Sequence, residues 1–226
     1  MNSLLNRYPA VPWIAPFVLF MLLLAVSPSL PLAQPWESVF RVGSLVLVIA
    51  VCSSGIVRGL RVRHAALSIG LGLAVCALWV APDLLFPGWR THWLFQNSLT
   101  GTIKTSIPPA ELADPLVVVL RVTRAALLVP ILEELFWRGW LPRWLVNSDW
   151  QKVPLGTYTT FAFIGTAVLF ALEHGPYWEV GLLCGLIYNW WMWRTKSLGD
   201  LVLVHGVTNA ALSAFVLVTG RYEYWM

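Results

Sequence analysis

Two adjacent carboxylates, Glu133 and Glu134, and the guanidinium of Arg138 stand inside the apolar stretch VPILEELFWRGW, Val129–Trp140. An ionised side chain at the centre of a membrane helix costs about 2.5–3.5 kcal/mol on insertion scales, so three such residues within six positions need a purpose. Glu134 and Arg138 are spaced i, i+4. They share a helix face and can pair, with the acid on the favoured N-terminal side, and pairing removes much of the cost of burying either charge. Glu133 lies about 100° around the helix with no local basic partner. A carboxyl in that position is a poor structural residue and a candidate general base or acid. The alternative for this segment alone is a cluster that bridges helices.

Two further constellations lie downstream. His174 closes the run FALEH, Phe170–His174, with Phe170 and His174 at i, i+4 and Glu173 facing elsewhere, outside the site. His205 and Asn209 enclose HGVTN and share one face of an apolar helix. Each has an ordinary reading by itself: a histidine at a helix end is usually interfacial, and a His–Asn pair commonly holds membrane helices together. Two of the chain's four histidines nevertheless fall in such motifs, on separate helices after the Glu-Glu pair. Jointly they supply a base, a histidine partner and two donors for a tetrahedral oxyanion, a set that suffices to hydrolyse an amide by activated water.

EELFWR (Glu133–Arg138), FALEH (Phe170–His174) and HGVTN (His205–Asn209) resemble the three ordered motifs EExxxR, FxxxH and HxxxN of the CAAX-protease-and-bacteriocin-processing (CPBP) family, which contains the type II CAAX prenyl endopeptidases. The likeness spans about Pro115 to Val218; any one motif alone is weak, whereas the three in order are specific. The resemblance implies a glutamate-dependent intramembrane endopeptidase of the bacterial inner membrane. In it Glu133 with His174 activates water, His205 and Asn209 form the oxyanion site, and Glu134 with Arg138 supports the centre. Its substrate would be a peptide or membrane-anchored protein, of the C-terminal or lipid-modified kind, although no prenyl group follows from the motifs. A branch associated with exosortase sorting systems suits the Trp content and compact size, and some members act as non-proteolytic partners.

The elements that must position these residues are apolar helices. Of the 226 residues 58% are hydrophobic and 12% charged, with a mean hydropathy of +0.70, against about 25% charged in a soluble domain. The chain therefore reads as an all-α, polytopic membrane protein, a bundle of seven to eight transmembrane helices embedded in lipid. It forms one membrane domain over 1–226, with N-terminal helices and a connection in 1–114 and the catalytic core in 115–219. The net charge of +4 sits beside hydrophobic spans and sets orientation, not nucleic-acid binding. Cys52, Cys76 and Cys184 are isolated in apolar runs and read as small buried residues.

Punctuation by Pro, Gly and charge places helices at about 11–26, which is too long for a signal core, and at 38–57, 65–81, 115–146, 158–174, 177–193 and 198–219. SPSLPLAQP reads as a short outer turn, and Arg58–His64 as a basic loop. Pro130 should remove one backbone hydrogen bond just before the glutamates. The connection Pro82–Asp114, with Pro87-Gly88 and Pro108-Pro109, reads as an interfacial segment or a cap over a cavity. Basic residues at alternate helix ends place the N-terminus in the cytoplasm, with Arg90, Lys104 and Arg221 on the opposite side.

Strict up-and-down spans put His174 and His205 toward opposite leaflets. They meet only where helices are short, tilted or broken, as Gly175-Pro176 and Gly206 permit. Three functions compete. An intramembrane endopeptidase without cofactor is the first. A zinc peptidase using His174, His205 and a glutamate has no HExxH and would draw its ligands from three helices. A non-catalytic scaffold or immunity-type partner would keep the polar core for packing.

Overall fold

The structure, a computed structural model, describes residues 7–26, 29–103 and 111–225. Ser27-Pro28 of the outer turn, Lys104 and Pro108-Pro109 lie outside the described residues. Among the described residues the architecture is all-α. Seven long helices run α1 Val11–Val26, α2 Trp36–Gly59, α3 Ala65–Leu85, α4 Pro115–Val146, α5 Thr160–Glu173, α6 Trp178–Thr195 and α7 Leu198–Thr219. α2, α3, α4 and α7 are long and apolar enough to cross a bilayer, and α1 and α5 are apolar but shorter. Polarity is inverted relative to a soluble protein. Glu134, Arg138, Asp200 and His205 are buried, while Leu67, Phe161 and Val218 are exposed at 64%, 70% and 86%. Apolar surface on this scale is stable against lipid, so the chain is an integral, multi-pass membrane protein.

Local chemistry sets the ends. Asp114 caps α4 by accepting from Leu116 N at 2.8 Å, with Pro115 in the first turn. Thr159 caps α5 through Ala162 N, and Ser197 caps α7 through Asp200 N at 3.2 Å each. The buried Asp200 carboxylate also accepts from Arg63 N at 3.0 Å and His64 N at 2.7 Å. It thereby pins the basic loop and the start of α3 against the start of α7. α3 runs on through Pro82 to Leu85, four residues beyond the expected end.

α4 is the organising element. Its 32 residues span about 48 Å at 1.5 Å per residue, more than the ~30 Å hydrocarbon core. It is not uniformly α-helical: π turns occupy Arg124–Leu128 and Leu135–Trp140 and flank the segment that carries Glu133 and Glu134. Pro130 and Pro142 each follow a π turn by two residues. A proline has no N–H to give to the preceding turn, and the wider π register absorbs that missing donor without breaking the helix.

α1 crosses α4 where Gly139 has no side chain: a Cβ there would stand 2.6 Å from the Trp13 ring. One turn further along α1, Phe17 stacks on Phe136 with centroids 4.3 Å apart. α7 crosses α4 at Gly206, whose Cβ would meet Ala126 O at 2.9 Å. The possibility of a break after His205 is thus corrected: α7 is continuous through Gly206, and the glycine serves close approach. The break after His174 is present, as α5 ends at Glu173 and a 3-10 turn covers Gly175–Tyr177.

The described part of the connection, 86–103, packs over that turn. Buried Arg90 donates from Nη1 to Pro176 O at 2.8 Å and pairs with Asp83 and Glu179, each at 2.8 Å. Its guanidinium lies 3.9 Å from the centre of the Tyr177 ring. Trp178 Nε1 donates to Leu94 O at 3.0 Å.

Candidate active site

Glu134, fully buried, is the hub of the polar core. Its Oε1 accepts from Arg138 Nη1 at 3.1 Å and from His205 Nδ1 at 2.8 Å. The i, i+4 pair read from the sequence is therefore made, and it is shared with a histidine from α7. Arg138 is held further by α5 and α6: Nε donates to Asn189 Oδ1 at 3.1 Å, and the guanidinium lies 4.3 Å from the Phe170 ring centre and 5.2 Å from that of Tyr188. Asn189 in turn donates to Phe163 O at 2.7 Å. One buried cation and its acid thus fasten α4 to α5, α6 and α7. Glu134 Oε2 and Arg138 Nη2 are buried without a hydrogen-bond partner among the described residues, so these ties offset only part of the desolvation cost of the pair.

Glu133 makes none of these hydrogen bonds. It is buried, and its Oε2 has no hydrogen-bond partner among the described residues. It lines a cavity of about 240 Å³ that His174, His205 and Asn209 also line. The structure therefore gathers the four residues expected to do chemistry around one internal space. The depth conflict resolves through α5, whose 14 residues rise only about 21 Å. His174 ends a helix too short for a full crossing and so stays within reach of the cavity.

His174 Nδ1 lies 2.7 Å from Phe170 O. A carbonyl only accepts, so Nδ1 carries the proton and Nε2 is left as an acceptor. The ring is wedged between Phe170 and Trp79, with centroids 4.5 and 5.3 Å away. Asn209 Nδ2 donates to Ala125 O at 2.9 Å, leaving its second N–H. Glu173 accepts from Trp137 Nε1 at 3.1 Å and does not line the cavity.

Several participants escaped sequence reasoning. Asn189 and Tyr188 sit in an aromatic run of α6, where the one signal was a lone amide among Tyr and Trp. Tyr188 stacks near His205, with centroids 5.4 Å apart, and donates to Thr208 Oγ1 at 2.9 Å. Cys184 lines the cavity, Cys76 is buried and Cys52 is half-buried. Among the described residues no three His, Cys, Asp or Glu side chains are grouped as metal ligands.

No curated protein and no solved structure matches the chain. Residues 115–211, fewer than half of the 226, match the family model described as Type II CAAX prenyl endopeptidase Rce1-like. That stretch runs from the start of α4 to just past Asn209 and contains the hub, His174 and the whole His205–Asn209 motif. Over this part of its length the chain is similar to the Rce1-like type II CAAX prenyl endopeptidases.

Proposed function

We propose that this protein is an intramembrane endopeptidase that hydrolyses a peptide bond with a water activated by Glu133 and His174. The observation that carries the reading is the convergence of Glu133, His174, His205 and Asn209 on one cavity inside the helices. In this reading all seven helices sit in the bilayer, α1 and α5 as short spans.

Water lies between two acceptors, the Glu133 carboxylate and His174 Nε2. Glu133 takes one proton as the water oxygen bonds to the substrate carbonyl carbon. The carbonyl π electrons move onto its oxygen. In this reading His205, whose Nδ1 meets Glu134 Oε1, must present an Nε2–H to that oxyanion, and Asn209 offers its second N–H. Collapse breaks the C–N bond, and the proton held by Glu133 passes to the leaving amine. General acid–base help of this kind contributes roughly 10²–10⁴-fold, and one oxyanion donor about 10²–10³-fold.

The test compares membrane proteomes of cells carrying wild type, Glu133→Ala or His174→Ala for a protein whose terminus changes. Loss of that processing in both variants, with normal accumulation, is the expected result; processing retained in either overturns the mechanism. A scaffold role is the second reading, favoured by the ties Arg138 makes to α5, α6 and α7. Complementation by Glu133→Gln at the wild-type level would select it.

A further inference from the structure

Where α4 and α7 cross, a second concavity shares no lining residue with the cavity of Glu133. It is an apolar groove of about 430 Å³, walled by Leu60 and Val62 of the basic loop, Leu127 and Ile131 of α4, and Leu203 and Ala210 of α7. Along α7 it runs from Gly199 to Ala210, about 16–17 Å at 1.5 Å per residue. That is close to the depth of one leaflet, half of the ~30 Å hydrocarbon core, and falls well short of a spanning helix.

At Leu60 and Gly199 the groove adjoins a pocket of about 260 Å³ lined by Arg61, Arg63 and Lys196. These three residues are exposed, and none forms an ion pair among the described residues. Among the described residues no acid lines either space. The backbone beneath is fixed. Gly199 has no side chain, and a Cβ there would run into the Arg61 backbone. Arg61 O accepts from Ser197 Oγ at 2.9 Å, and the buried Asp200 carboxylate takes the N–H groups of Arg63 and His64. The loop is thus tied to the first turn of α7, and its cations stand at the mouth of the apolar groove.

Basic pockets between membrane helices hold anionic headgroups, and a groove of leaflet depth suits an acyl chain. We infer that the basic loop, Lys196 and the α4–α7 groove form a binding site for one anionic phospholipid. Its phosphate meets Arg61, Arg63 and Lys196, and one chain lies along Leu127, Ile131 and Leu203. A second copy of this chain, packed through the same face in the same membrane orientation, would set its own cationic loop against this one. The site does not depend on the peptidase reading.

Native mass spectrometry of the full-length protein in neutral detergent reads the site, with dioleoylphosphatidylglycerol and dioleoylphosphatidylcholine added at equal concentration. One phosphatidylglycerol should be retained in preference to phosphatidylcholine, on the order of tenfold. Arg61→Gln with Arg63→Gln should bring that ratio near one. Arg58→Gln, at the end of α2 and outside both spaces, should leave it unchanged. Leu203→Trp, which fills the groove, should lower retention of phosphatidylglycerol several-fold. Equal retention of the two lipids overturns the site. So does a preference that survives loss of both arginines, or one that Arg58→Gln erases equally, the mark of diffuse attraction to net charge. Retention indifferent to Leu203→Trp removes the acyl groove and the phospholipid with it, and a dimer in place of the lipid-bound monomer gives the groove to a second copy. Thermal unfolding supplies a second readout. Phosphatidylglycerol should raise the midpoint of wild type and not that of the double arginine variant, and an equal rise in both overturns the site.

Discussion

Asn209 on α7 supplies the hydrogen bond that Ala125 on α4 does not receive from its own helix. Val129 N–H turns to Arg124 O in the π register, and Pro130 has no N–H to offer, so Asn209 Nδ2 meets Ala125 O at 2.9 Å. Leaving a buried carbonyl without a donor costs about 1–3 kcal/mol, and Asn209→Ala should destabilise the protein by that amount in detergent-based unfolding. Pro130→Ala restores a backbone donor next to the π turn. The penalty of Asn209→Ala in that background should fall by roughly 1 kcal/mol or more, a coupling that a double-mutant cycle measures.

Glu133 and Glu134 should separate cleanly in such measurements. Oε2 of both is without a partner, but Glu134 holds Arg138 and His205 through Oε1 whereas Glu133 makes no such tie, so Glu133→Gln should leave stability within about 1 kcal/mol of wild type. Under the peptidase reading it lowers turnover by roughly 10²–10⁴-fold. Unchanged turnover on a substrate that wild type processes would remove Glu133 from the chemistry.

The hub predicts the opposite balance. Arg138→Ala leaves the buried Glu134 carboxylate with His205 Nδ1 as its one remaining hydrogen-bond partner among the described residues, and breaking one side of a buried pair costs up to about 3–5 kcal/mol. Adding Glu134→Gln removes the under-compensated charge and should recover part of the loss. Unfolding of the single and double variants in mixed micelles reads both values.

Helix limits were legible because proline, glycine and charge punctuate the apolar runs: 11–26, 115–146 and 198–219 match the observed helices residue for residue. The Glu134–Arg138 pair was legible from spacing alone. The π turns were not. Pro130 signals a missing donor, but a one-residue change of helical register leaves the apolar pattern intact. Asn189 was obscured by its aromatic neighbours, and the role of Arg90 by a connection with no periodicity. The depth of His174 depended on the true length of α5, which a few residues of uncertainty at either end conceal.

Gly139 offers a check on the α1 crossing. Gly139→Ala places a methyl group 2.6 Å from the Trp13 ring, an overpacking that should cost about 1–3 kcal/mol. Trp13→Leu in the same chain makes room, and the double variant should unfold later than Gly139→Ala alone. If Gly139→Ala is neutral, the crossing is looser than described.

The strap at Arg90 gives the candidate site two kinds of suspension. Glu133, Glu134, His205 and Asn209 ride on α4 and α7, which touch backbone to backbone at Gly206 and Ala126 and so travel as one beam. His174 hangs from the end of a short helix, and the turn beyond it is moored by Arg90 to a connection outside the helices. Forces acting at the surface of the protein, from a docking partner or from the lipid around it, reach the centre first through His174.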